Sequence, residues 1–237
     1  WHLAAYGVLI GAGQFGLLFI AMNGHISPGL ASLVVQVQVF FTIGLAMAAA
    51  GERVRPFQVG ALLLASSGIG VILWHTDGTT TPLGLVLVVL AAASWAGGNH
   101  VAKLSGRVNM LAYVVWASLF SVPPLFVLSL AVDGWPAMRG AVTGADLATW
   151  GAVAWQSVGN TMFGYAAWGW LLARHPAATI TPMALLVPVF GMGASTLLLG
   201  EPMPGWKIGA AALVMGGLAV NIFWPMISRR LFPPPAA

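Results

Sequence analysis

Apolar residues along this chain run on for the length of a membrane crossing and then stop at short polar connections. Eight such runs stand out: Leu3 to Met22, Gly29 to Ala50, Phe57 to Trp74, Pro82 to Val101, Met110 to Val132, Leu147 to Ala173, Ala177 to Leu199 and Trp206 to Ile227. Each is close to the roughly 17 to 25 residues that a helix needs to span hydrocarbon. A membrane barrel would instead show short segments of alternating hydrophobicity. The glycines and prolines inside the runs are compatible with helices, because neighbouring helices, side chains and trapped water satisfy freed backbone groups inside a bundle. The predicted fold class is an all-α membrane protein, a polytopic helical bundle.

Two stretches match at one constant, ungapped offset. Phe41 faces Phe190, Gly44 faces Gly193, Gly51-Glu52 faces Gly200-Glu201, Gly60-Ala61 faces Gly209-Ala210, Leu64 faces Leu213, Gly68 faces Gly217 and Val71 faces Val220. A duplicated helical unit in a membrane is the mark of transporter folds whose substrate site lies between the repeats. The second and third runs pair with the seventh and eighth, and the first pairs with the sixth, so the fourth and fifth have no partners. A ten-helix fold of two five-helix repeats is therefore expected, with eight helices visible and two more preceding Trp1. The first repeat contributes its last three helices over 1–74, the second occupies 82–227, and 228–237 is a tail.

Composition agrees: 59% of residues are hydrophobic and 6% charged, where a soluble domain carries about a quarter charged residues. The net charge of +4 is spread over connections rather than gathered into one basic face, so no nucleic acid partner is expected. The basic residues report orientation. With the first run leading outward, Arg53, Arg55, Lys103, Arg107, Arg174, Arg229 and Arg230 are cytoplasmic, leaving Arg139 and Lys207 outside, the positive-inside pattern. The tail is then cytoplasmic, and the two repeats are inverted. With no cysteine, redox context stays open.

The string from Pro28 to Thr42 with its paired Gln36 and Gln38, closed by Gly51-Glu52-Arg53, resembles the EamA family of the drug/metabolite transporter superfamily. So do Ala12-Gly13-Gln14-Phe15, Ser94-Trp95-Ala96-Gly97-Gly98-Asn99 and Leu185-Leu186-Val187-Pro188-Val189. The resemblance covers the whole chain and is nearest to the family's exporters of O-acetylserine and cysteine. It implies ten helices, a central cavity, the bacterial inner membrane, and efflux of small neutral amino-acid metabolites by alternating access. The superfamily also contains multidrug and other metabolite exporters, which are the alternative. The glycine–glutamate pair is common across the superfamily and says little about substrate.

Within lipid, polar side chains turn toward the bundle or a wet cavity. Gln14, Ser32, Gln36, Gln38, Trp95, Asn99 and Tyr165 are the candidate substrate-binding residues. Ser32 and Gln36 share a helix face, as do Trp95 and Asn99, while Gln38 lies about 200° round from Gln36, so only one glutamine faces a cavity squarely. An amide donates and accepts, and a tryptophan face covers apolar or cationic parts of a ligand, which suits a small zwitterion. The competing role is helix-to-helix hydrogen bonding, worth about 0.6 kcal/mol each. Gln14, Gln36 and Gln38 correspond to Phe163, Leu185 and Val187, so the repeat does not require amides there. Tyr165, Trp168 and Met183 are either walls of the site or ordinary packing.

His100 is the one histidine inside a run, at its end, and is either an interfacial histidine or a proton carrier. Every carboxylate falls at an end or in a connection; Glu52 and Glu201 are expected to complement the N-terminal dipole of the helix that follows each. Pro123-Pro124, Pro182 and Pro188 are candidate kinks. Gly11 to Gly16 fits G-x-G-x-x-G without a preceding strand, so close helix packing is expected there, as for the small-residue pairs Gly7/Gly11 and Gly205/Gly209. An intramembrane enzyme would need a nucleophile, a metal cluster or paired acids near the substrate, and no H-E-x-x-H, G-x-S-x-G or embedded acid is present. The expected partners are a small-molecule substrate, the lipid bilayer and a coupling ion of unspecified identity. No cofactor or metal is expected.

Overall fold

The computed structural model describes residues 1–50, 55–75, 80–106, 108–175 and 181–231. Among the described residues there is no strand. The helices are α1 (His2–Met22), α2 (Pro28–Ala49), α3 (Pro56–Trp74), α4 (Pro82–Leu104) and α5 (Met110–Val132), followed by a short α6 (Gly134–Thr143). Next, α7 runs unbroken through Leu147–Ala154, Trp155–Phe163 and Gly164–Arg174; α8 (Met183–Leu199) and α9 (Gly205–Leu231) follow. Six of these, α1 to α5 and α9, are long and apolar enough to cross a membrane. The sixth predicted run is helical as α7 but is not among the six, because Gln156, Ser157, Asn160 and Thr161 dilute its apolar character. In the seventh, α8 is shorter, and the expected start at Ala177 lies outside the described residues, as do Glu52, Arg53, Asp77 and Arg107. The connection after α5 is also richer than the sequence suggested, since α6 forms there with Trp135 and Val142 exposed.

Helix starts follow local chemistry. Pro28, Pro56 and Pro82 occupy first turns, where the missing N–H costs nothing. The Thr81 hydroxyl accepts from Gly84 N at 3.1 Å, and Asn109 Oδ1 from Ala112 N at 3.1 Å. Asp146 Oδ1 accepts from the Thr149 hydroxyl and amide, each at 2.7 Å, and these bonds hold its carboxyl below the ordinary range. Gly200 ends α8 with φ at +67°, the left-handed cap that glycine adopts without strain. That turn brings Glu201 N back to the Ser195 carbonyl at 3.2 Å and points the chain at its neighbours.

Connections α1–α2, α3–α4 and α8–α9 gather at one end of the bundle. The His25 carbonyl accepts from Thr81 N at 2.8 Å, His75 stacks on Trp206 at 4.9 Å, and Ser27 bonds Glu201. At the centre is α2, with 41% of its span buried against 11% for α5. Leu30, Leu33, Val34, Ile72, Val88, Val214 and Leu218 form the main apolar core. Tyr6, Ile10, Val101, Tyr113 and Ala117 form a second cluster among α1, α4 and α5.

Close packing occurs where small residues permit it. A Cβ at Gly7 or Gly11 would overlap Ala117 or Ser121 of α5, as expected for that pair. Gly205 and Gly209 have no such neighbour; on α9 the close approach is made by Gly217 instead. A Cβ on Gly217 would meet the Ala61 carbonyl at 2.5 Å, and one on Gly68 the Ala210 carbonyl at 2.9 Å. In the sequence match Gly68 pairs with Gly217 and Ala61 with Ala210, so α3 and α9 touch reciprocally and antiparallel. Reciprocal contacts of this kind are what a local two-fold axis produces. Pro123 and Pro124 sit inside α5 and Pro225 inside α9.

Candidate functional site

Four stretches depart from α-helical hydrogen bonding. Val8–Gly16 in α1 and Trp155–Phe163 in α7 are π-helical, while Val35–Val37 in α2 and Thr181–Leu185, leading into α8, are 3₁₀. They fall in pairs under the internal sequence match, one π and one 3₁₀ segment in each half. Backbone irregularity inside a membrane is tolerated where it lines a cavity or is buried in protein, and π segments are frequent at functional sites.

Gln14 lies in the π segment of α1 and Gln36 in the 3₁₀ segment of α2; they are 5% and 3% exposed. Among the described residues, Gln14 Oε1 and Gln36 Nε2 are buried without a hydrogen-bond partner. Thr196 Oγ1 and Asn221 Oδ1 share that condition on half-buried side chains. Gln38, by contrast, is engaged. Its Oε1 accepts from Thr42 at 3.2 Å and from Asn99 Nδ2 at 3.4 Å across to α4. The 200° separation thus sends one amide into the buried face and the other into an α2–α4 bridge.

Ser32 donates to Gly29 O at 2.7 Å and packs beside Gly191 of α8. Trp95 is half-buried and packs against both apolar clusters, so it bridges the regions around α1 and α2. Its neighbour Ser94 donates to Leu9 O at 2.9 Å, tying α4 to α1. Gln38 and Asn99 therefore meet directly, and Gln14, Gln36 and Trp95 lie on the same three helices, which are joined through α4. Tyr165 lies elsewhere, with Tyr6 on a cavity of about 210 Å³ that Thr161, Ser118 and Ser121 also line. A larger cavity of about 440 Å³ lies between α1 and α5 near Asn23 and Asp133, away from every predicted residue. His100 is half-buried on α4, while Trp168 and Met183 are exposed.

Two groups were not anticipated from the sequence. On α7, Asn160 Nδ2 donates to Gln156 Oε1 at 3.1 Å, both exposed in a helix otherwise set among apolar residues. Their signal was available as an i,i+4 pair of amides within the sixth run. The other group is a clamp around Glu201. Its carboxylate accepts from the Ser27 and Ser195 hydroxyls, from Gly29 N at 3.1 Å and from Lys207 Nζ at 2.7 Å. Lys207 donates further to Pro202 O at 3.1 Å. The side chains of Lys207 and Glu201 are 7% and 10% exposed. Burial works to raise the Glu201 pKa, but the bonds from Lys207, Ser195 and Ser27 outweigh it and hold the carboxyl below its ordinary value. This corrects one expectation: Glu201 does serve a helix N-terminus, but that of α2, far back in the sequence, rather than that of α9. Gly200 makes the difference by turning the chain inward.

The molecule is a multi-pass helical membrane protein, with amides buried at its centre and a sealed polar clamp at one end. It belongs to the EamA-like transporter family, whose model matches residues 82–223. It is 37% identical over 227 residues to a probable amino-acid metabolite efflux pump of Escherichia coli (strain K12), covering 93% of this chain and 76% of that protein. A protein of the same description from Salmonella typhimurium is 34% identical, covering 96% of this chain and 78% of the relative. A probable terminal-alkyne amino-acid exporter of Streptantibioticus cattleyicolor is 28% identical, covering 92% and 69% respectively.

Proposed function

We propose that this chain exports small neutral amino-acid metabolites, cysteine and O-acetylserine among them, across a bacterial inner membrane by alternating access. What carries the proposal is the pair of buried, unpartnered amide atoms on Gln14 and Gln36 in the irregular segments of α1 and α2. A bundle that needed these amides only as glue would have paired them, as it pairs Gln38 with Asn99. The relatives, two probable amino-acid metabolite efflux pumps and a probable terminal-alkyne amino-acid exporter, support the same substrate class.

Gln14, Gln36, Trp95 and Asn99 form the substrate site, with Gln38 and Ser32 bracing it and Tyr165 on a side wall. The repeats are inverted: the reciprocal, antiparallel contact of α3 with α9 and the matched irregular segments both support that arrangement. The end that carries the Glu201 clamp faces away from the cytoplasm and the C-terminus faces it, on the seven-to-two division of basic residues. Reporter fusions after Ala237 and between Asp133 and Asp146 test this orientation, and a periplasm-active tail overturns it.

Expression in a bacterium should raise extracellular thiol or O-acetylserine and confer tolerance to an excess of the same compound. A well-expressed protein that alters neither, yet moves a quaternary or aromatic cation, replaces this function with multidrug export.

A further inference from the structure

We propose that α6 is an interfacial helix: it lies along the bilayer surface with Trp135, Met138, Ala141 and Val142 in the lipid and Arg139, Gly140 and Thr143 toward water, so that the partner of its apolar face is the headgroup boundary itself. None of its ten residues is buried in the bundle, yet their order is not that of a solvated connection. At about 100° per residue, the four apolar side chains fall within an arc of about 120°, and Arg139, Thr143, Pro136 and Gly140 fill an opposing arc of about 100°. Trp135 and Val142 are exposed, and Met138 is half-buried. A helix with tryptophan on its apolar face and arginine at the border of that face is the pattern of segments that bind in the plane of the interface. Arg139 stands one turn beyond Trp135, where its aliphatic stem follows the apolar face while the guanidinium reaches out to the lipid phosphates.

The two ends of α6 fix its height. Helix α5 carries exposed Phe126, Val127, Leu130 and Val132 up to Asp133, and α6 begins at the next residue, where Gly134 turns the chain with φ at +80°. After Thr143 only Gly144, Ala145 and Asp146 remain before α7, which opens on exposed Leu147 and Trp150. A helix of ten residues is about 15 Å long. Standing upright, it would lift the chain by that much, and three fully extended residues return at most about 11 Å. Gly144 is not extended in any case, since its N–H donates to Gly140 O at 2.8 Å and continues the helical turn. Only a helix lying flat keeps both α5 and α7 at the bilayer edge. The apolar face of α6 then continues the exposed apolar surface of α5 without a break, and Asp133 and Asp146 mark its two ends with exposed carboxylates. Because Gly7 meets Ala117 and Gly11 meets Ser121, α5 runs parallel to α1, which places α6 at the end of the bundle that carries the Glu201 clamp.

The chain has no cysteine, so a single introduced cysteine carries a spin label at one known site. Met138→Cys, Ala141→Cys and Val142→Cys sample the apolar face; Gly140→Cys, around which a Cβ meets nothing within 4 Å, and Thr143→Cys sample the other. Each labelled full chain is reconstituted into vesicles of phosphatidylcholine and phosphatidylglycerol, and its relaxation is measured with oxygen, which concentrates in lipid, and with a water-soluble nickel chelate. The ratio of oxygen to nickel accessibility should be about threefold or more higher at 138, 141 and 142 than at 140 and 143, with the first three labels roughly 5 to 10 Å below the headgroups. Nickel access at all five sites would make α6 a loop in water and overturn the proposal. So would protection of 138, 141 and 142 from both reagents, which would mean that protein covers the face, or oxygen access at all five, which would mean full immersion. The measurement needs no transported substrate, so its result stands apart from that of the export assay.

Discussion

The Glu201 clamp and the mid-bundle amides are both polar clusters in an apolar chain, and they are built in opposite ways. Around Glu201, two hydroxyls, a backbone amide and an ammonium converge on one carboxylate, tying the start of α2 to the end of α8 and the start of α9. Around Gln14 and Gln36, polar atoms of similar burial are left without partners. An unpaired polar group is expensive in a low-dielectric interior, whereas a saturated network rigidifies the structure. On the proposed function, the saturated cluster holds the bundle together and the unpaired amides are kept for a ligand. Substitutions should therefore damage folding at the first cluster and transport at the second.

The largest loss of stability belongs to Glu201→Ala, which leaves Lys207 buried without its counter-charge; about 3 to 5 kcal/mol is expected. Thermal unfolding in detergent measures it, and the double variant Glu201→Leu/Lys207→Met should recover much of the loss. Next is Gly217→Leu, where the added side chain meets Ala61 and Ala65; overpacking costs about 1 to 3 kcal/mol. Gly209→Leu, with open space around it, should leave the unfolding temperature near wild type. Equal losses at both glycines would remove the α3–α9 contact from the account.

A pH titration sharpens the same contrast. Because the Glu201 pKa is depressed in the folded protein, its contribution is present above the ordinary carboxylate range and is lost as pH falls through the depressed value. Wild type should lose stability in acid more steeply than Glu201→Gln, with the gap between them closing as pH falls. Superimposable curves of constant separation would show that the clamp carboxyl does not titrate with unfolding. The smallest effects are at the centre. Gln38→Leu should cost about 0.6 kcal/mol, the ordinary worth of an interhelical hydrogen bond. Gln14→Leu and Gln36→Leu, which break no protein hydrogen bond at their orphan atoms, should leave abundance and unfolding temperature unchanged or slightly raised while transport falls.

Much of the fold was legible because hydrocarbon imposes a simple rule on the chain, and long apolar runs announce helices. The α7 segment shows where the rule weakens: Gln156 and Asn160 make a continuous helix more polar than a span of its length usually is. Close packing at Gly7 and Gly11 was foreseen, while the contact on α9 fell at Gly217 rather than at Gly205 and Gly209, because spacing marks a small-residue face without saying which face meets a partner. The central residues could be named as polar positions in apolar runs. Their pairing could not, since whether Gln36 or Gln38 reaches Asn99 depends on the local 3₁₀ winding of α2. The clamp was hidden for a related reason. Glu201 finds Ser27 and Gly29 only after Gly200 turns the chain and the bundle closes, and nothing local in sequence marks that meeting.

Counterflow in proteoliposomes tests the central claim most directly, because it isolates one purified chain from every other route across a cell membrane. With L-cysteine or O-acetylserine inside, labelled cysteine outside should accumulate transiently and saturably, and Gln36→Leu protein reconstituted to the same density should show a small fraction of that uptake. Uptake by the Gln36→Leu protein equal to wild type, or none by inserted wild type, would contradict the account.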